Sequence, residues 1–244
     1  MGRTFAGGSE IFVDEFNFSG VINAIAIDVE NPISEITAFT DGDATFVEGK
    51  PTFSITLNGL YSTSSPDYDG EMFNDLTSSD RLITVSPGAS ATSGGLAYFG
   101  RGDIITEPIT SNIGDAVLLN VTWKGNKPLA RGTFMHRDAG ATASADGTAY
   151  NLGAITASQQ LISFLHVLSA TVGTLNVTIE SDAASTFGTP TTVLTFTQVA
   201  STITAERQTV SGAITDTWYR AHLNITGFAS YDMLVSLGIA SYNQ

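Results

Sequence analysis

The chain has 244 residues, no cysteine, 24 acidic against 10 basic side chains and a formal net charge of −14. These counts exclude a disulfide scaffold, thiolate metal sites and a cysteine nucleophile, and they leave no clustered Lys and Arg to grip phosphates. With 42% hydrophobic and 14% charged residues, the composition is the reverse of a disordered chain's.

The length suits one large or two modest domains. The opening residues carry no continuous apolar run, and no stretch approaches the ~18 apolar residues of a spanning helix. Neither a secretory signal nor a membrane contact is therefore expected. Threonine supplies 32 residues and glycine 24, a bias toward strands and turns rather than helices.

In chain order, the first clear strand is Ile25-Ala26-Ile27-Asp28-Val29. A long excursion over 31–51 follows before the next alternating run. It is too apolar for an idle loop, because Ile33, Ile36, Phe39, Phe46 and Val47 have no core of their own. Two readings are open: a hairpin folded onto its own domain, or an arm lying on a neighbouring subunit, since exposed apolar patches mark interfaces. Phe53, Ile55 and Leu57 then alternate with Thr52, Ser54 and Thr56, the period-2 signature of a half-buried strand.

One short helix is predicted over about 66–77. Ser65 would cap it, Pro66 would take the first helical position, and Tyr68, Met72, Phe73 and Leu76 would share a face. Asp67, Asp69 and Glu71 lie where the macrodipole favours anions. Arg101-Gly102-Asp103 reads as a turn. Gly140, Gly147 and the small residues around them predict a linker over 139–148, dividing a domain at 1–138 from a β-sandwich at 149–244. The second region repeats the alternation at Leu175, Val177 and Ile179, and again at Tyr219, Ala221, Leu223 and Ile225. A small echo, Leu-Asn-Val/Ile-Thr, recurs at 119–122, 175–178 and 223–226.

Catalytic constellations do not emerge. No G-x-S-x-G elbow is present, and no histidine pair has metal-ligand spacing. His166 sits among Phe164, Leu165, Val167 and Leu168, as a core or interface histidine does. Asp41-Gly42-Asp43 lacks the later oxygen ligands of a calcium loop. No catalytic residue, cofactor or metal is expected, and the chain reads as a non-enzyme.

The runs Phe18 to Ile25, Thr37 to Ala44 and Gly49 to Ile55, followed by Gly59 and Tyr61, resemble the major tail tube proteins of long-tailed bacteriophages. Tyr98 to Gly102 and Asp115 to Leu119 are similar to later strands of that family. Segments of the second region resemble β-sandwiches appended to phage structural proteins. The resemblance implies an all-β fold with one short helix: a tail-tube-like β-sandwich or barrel, then an Ig-like or jelly-roll-like β-sandwich. It implies a virion tail protein, made in the host cytoplasm, whose hexameric rings stack into a tube. Its partners would be copies of itself and other tail proteins, and double-stranded DNA would pass without specific binding. Two alternatives stay open: a capsid decoration or head–tail joining protein, and a carbohydrate-binding module.

Overall fold

The computed structural model describes residues 8–38, 42–64, 67–76, 80–88, 91–125, 127–227 and 230–241. The fold is nearly all-β. The first strands are β1 (Glu10–Val13), β2 (Phe16–Asn17), β3 (Ile22–Glu30), β4 (Ile33–Glu35), β5 (Phe46–Glu48) and β6 (Thr52–Leu60). Helix α1 (Tyr68–Asp75) precedes β7 (Arg81–Ser86), β8 (Leu96–Thr106), β9 (Ile109–Thr110), β10 (Leu118–Gly125) and β11 (Ala130–Ala141). Short β12 (Ala145–Asp146) and β13 (Tyr150–Asn151) lead to β14 (Gln159–Ala170) and β15 (Thr174–Asp182). The chain closes with β16 (Thr191–Thr195), β17 (Thr204–Ser211), β18 (Trp218–Thr226) and β19 (Tyr231–Ser241).

The main sheet runs β17-β14-β19-β11-β8-β10-β6-β3, with β7 also on β8 and β1 on β7. A smaller sheet, β12-β18-β15-β16, packs its Leu175, Val177, Ile179, Tyr219, Ala221 and Leu223 against Leu161, Leu165, Val235 and Leu237 of the main one. The alternation read from sequence is the physical cause, since period-2 apolar residues give each strand one buried face. The echo has a partial explanation. Leu175, Asn176 and Val177 stand directly opposite Ile225, Asn224 and Leu223, so two of its copies are antiparallel neighbours.

The expected linker is not a free connector. Ala139 to Ala141 finish β11, which pairs with β19 from Gly132↔Gly238 to Ala141↔Tyr231. The last strand of the chain therefore extends the sheet of the first half. Strand β14 ties the halves further, because it is buried on both faces. Leu161, Leu165 and Val167 point into the core shared with the small sheet. Ile162 and Phe164 pack with Phe12, Leu82 and Phe99 from the first half. That explains its near-continuous apolar sequence, which a one-sided strand does not need.

Helix α1 lies within the expected span, but its cap differs. The Asp67 carboxylate accepts the Gly70 backbone N–H at 3.0 Å, placing the N-cap two residues later than expected. Ser65 and Pro66 lie outside the described residues. Of the four residues expected to share a face, Tyr68 and Met72 are buried, while Phe73 is 66% exposed. An i,i+4 pair suffices to seat a helix this short; Phe73, about 100° further round the helix, points away.

Arg101-Gly102-Asp103 is not a turn but the middle of β8. There β8 gives one edge to β7 and changes partner on the other, from β11 at Leu96–Phe99 to β10 at Gly102–Thr106. A Cβ on Gly102 would stand 2.6 Å from the Lys124 carbonyl oxygen, so the glycine serves close backbone approach. Arg101 is ion-paired with Asp80, and the Asp103 carboxylate accepts the Asp80 N–H at 2.7 Å.

Candidate functional site

The excursion at 31–51 forms an arm. Strands β3 and β6 pair along their whole length, from Ile22↔Gly59 to Glu30↔Thr52. Beyond Pro32 and Gly49 the same hairpin continues as β4 and β5, with Ile33 opposite Glu48, Ser34 opposite Val47 and Glu35 opposite Phe46. The Gly49 N–H donates to the Pro32 carbonyl at 2.6 Å, and a Cβ on Gly49 would meet the proline ring at 2.8 Å. A glycine is required where the two chains pinch. Further out, Ile36 N–H donates to the Thr45 carbonyl at 2.8 Å, while the Thr37 hydroxyl bridges the Thr45 N–H and the Glu35 carboxylate.

The side chains of the arm are the unusual part. Ile33, Ile36, Phe46 and Val47 are 66%, 56%, 59% and 49% exposed. Strand alternation puts Ile33 and Phe46 on one face, with Ile36 and Val47 on the other. Strands β4 and β5 pair only with each other among the described residues. A hairpin folded back on its own body would cover one face, and here neither is covered. Phe39 lies outside the described residues. Between Asp28 and Lys50 the sequence carries six carboxylates and one cation, so the apolar groups sit in an acidic frame.

Next to the arm, β3 ends the main sheet, and its outer edge is unpaired among the described residues. A concavity of about 510 Å³ lies against this strand, lined by Ile25, Ile27, Val29, Val85, Pro87 and Tyr98. The sequence marks Ile25, Ile27 and Val29 as a strand but not as part of a site. Their only signal is the alternation of Ile25, Ile27 and Val29, which marks a buried face as readily as an interface.

The histidines take structural places. His166 is fully buried, with Nδ1 2.6 Å from the Asp14 carbonyl oxygen and Nε2 2.7 Å from the Thr84 hydroxyl. A carbonyl only accepts, so Nδ1 carries the proton and Nε2 accepts from Thr84. Burial pushes this imidazole below its ordinary 6.5, outweighing the bond to Asp14. Burial lowers His136 as well. His222, Asp146 and Glu180 come within ligand distance of one another. Arg220 claims both carboxylates, at 2.9 Å from Asp146 and 2.8 Å from Glu180, and its guanidinium lies 4.5 Å over the Phe187 ring. The group is a complete ion-pair network joining β12, β15 and β18.

No protein-family model matches the chain, nor does any curated protein. Similarity appears among solved structures. A chain of the sheath-tube complex of the PVC extracellular contractile injection system is similar at 12% identity, covering 54% of this chain and 92% of that one, with a TM-score of 0.42. A native gene transfer agent virion is similar at 12% identity over 50% of this chain and 94% of that one, TM-score 0.39. The Dit protein of SPP1, described as a hub adsorption apparatus of phages infecting Gram-positive hosts, covers 95% of this chain and 99% of its own length, at 9% identity and TM-score 0.40. Among the described residues, no helix is long and apolar enough to cross a membrane.

Proposed function

We propose that the chain is a structural tail subunit of a phage-type particle that assembles with copies of itself through the arm. The carrying observation is that Ile33, Ile36, Phe46 and Val47 leave both faces of β4–β5 uncovered. Burying each side chain contributes roughly 1.5–3 kcal/mol, so four of them on one arm give a substantial drive to associate. The open edge of β3, with Ile25, Ile27 and Val29 beside it, offers a second copy the kind of surface such an arm needs. Arm and edge are different patches, so the contact is head-to-tail. Head-to-tail contacts close into rings when the rotation permits.

The resemblance to tail tube proteins implies a hexameric ring, stacking into a conduit for DNA. A net charge of −14 supports a conduit that does not hold its cargo, because acidic walls repel phosphate. A single ring at the end of a tail, without stacking, is a second reading. It needs only the arm and the open edge of β3, and no further surface for stacking.

Electron microscopy and sedimentation of the purified chain test both. Rings or tubes are the expected result, and a tube of repeating rings against a lone ring separates the two readings. A strict monomer at high concentration, at low and high salt alike, would overturn the proposal.

A further inference from the structure

Directly after β8, Glu107 points its carboxyl group into the protein beneath α1. Both of its oxygens are shielded from solvent and have no hydrogen-bond partner among the described residues. The Tyr68 hydroxyl is in the same condition, and Tyr68 is one of the two side chains that seat α1 on the sheet. The charged group facing Glu107 is a second carboxylate, Asp69 of the same helix, which accepts the Tyr61 hydroxyl at 3.1 Å. Among the described residues, no salt bridge joins a cation to either carboxylate.

We propose that Glu107 is a proton-operated latch for α1. Protonated, it is a neutral group that can remain buried beside Tyr68. Ionised, it becomes an unpaired buried charge facing Asp69, and the least costly relief is for the helix to lift and admit water. Helix α1 is suited to this, because eight residues are too few for a helix to persist without its tertiary contacts.

Titration supports the geometry. Burial first, and the Asp69 charge second, push the Glu107 carboxyl up to about 7. Burial and the Glu107 charge together raise the Tyr68 phenol. In the lifted state Glu107 returns toward its ordinary 4.5. A raised carboxyl favours the closed helix fully below 4.5 and loses that effect as pH rises to about 7. One proton leaves per opening in this window, so the opening equilibrium should grow about tenfold per pH unit and level off above it. Glu71, on the same helix, is also pushed up by burial, against the pull of Arg81. It is the control.

The test is amide hydrogen exchange in 68–75 of the full chain between pH 5 and 8, corrected for intrinsic rates. Protection should fall about tenfold per unit up to pH 7 in the native chain. Between pH 6 and 7 it should be flat in Glu107→Gln, whereas Glu71→Gln, whose carboxyl is also raised by burial, should change the slope only toward the pH 5 end. A slope between pH 6 and 7 that survives Glu107→Gln, or that disappears in Glu71→Gln instead, would overturn the latch. Carbon-13 titration of the native chain gives a readout independent of any variant. A Glu107 carboxyl that titrates at the ordinary glutamate value would also overturn it.

Discussion

Strand β14 and the arm share one sequence property, apolar side chains on both faces, and have opposite fates. In β14, Leu161 and Leu165 meet one core while Ile162 and Phe164 meet another, and Phe99 approaches the Phe164 ring at 5.1 Å. In the arm, Ile33 and Phe46 on one face and Ile36 and Val47 on the other stay 49–66% exposed. The comparison teaches that two-sided apolarity specifies that a strand will be covered twice, but not by whom. For β14 the cover is intramolecular. For the arm, the cover we propose is a second copy of the chain.

Shortening the chain should break the β14 side of the comparison most severely. A chain ended at Ala145 loses β14, β17 and β19, leaving β11 with an unpaired edge and exposing Phe99 and Phe134. We expect it to aggregate or to lack a cooperative unfolding transition by circular dichroism. A soluble, cooperatively folded product would show that the halves are independent after all.

A single substitution in β14 comes next. Phe164→Ala removes a side chain that is 1% exposed and should cost about 3–5 kcal/mol in denaturant unfolding. The matching change in the arm, Ile33→Ser with Phe46→Ser, should alter the unfolding free energy of the dissociated subunit by no more than about 0.5 kcal/mol. It should nonetheless weaken self-association by at least about tenfold, read by sedimentation. If that double variant loses its folded signal, the arm belongs to the subunit's own core.

The smallest effect tests the joint between the two halves. His166 is held neutral between Asp14 and Thr84, with its titration below 6.5. The unfolded chain then takes up a proton that the folded chain refuses, so stability falls as pH drops below 6.5, by up to about 1.4 kcal/mol per unit. Glu107 acts in the opposite sense over part of this range, so the native profile alone is ambiguous. The difference between the native chain and His166→Gln isolates the histidine. An identical pH profile in the two proteins would remove His166 from the joint's energetics.

The sequence by itself determined the class and much of the local structure. Alternation at Phe53–Leu57, Leu175–Ile179 and Tyr219–Ile225 specified strands and their inner faces, because side chains on a pleated backbone alternate whatever the topology. The 31–51 excursion was legible as a hairpin too apolar for a loop, and the acidic helix was placed to within two residues. What needed the tertiary structure was every decision about partners. The small, glycine-containing run at 139–148 looks like a linker, yet its first residues finish β11, because β19 returns from about a hundred residues later to pair with them. Arg101-Gly102-Asp103 has the composition of a turn, but Gly102 is there so that Lys124 can approach its backbone. The same holds for Glu107, whose spacing in the chain gives no hint that Tyr68 and Asp69 will lie above it. Local pattern fixes which way a side chain points. Long-range strand pairing fixes what it meets, and no local propensity encodes that.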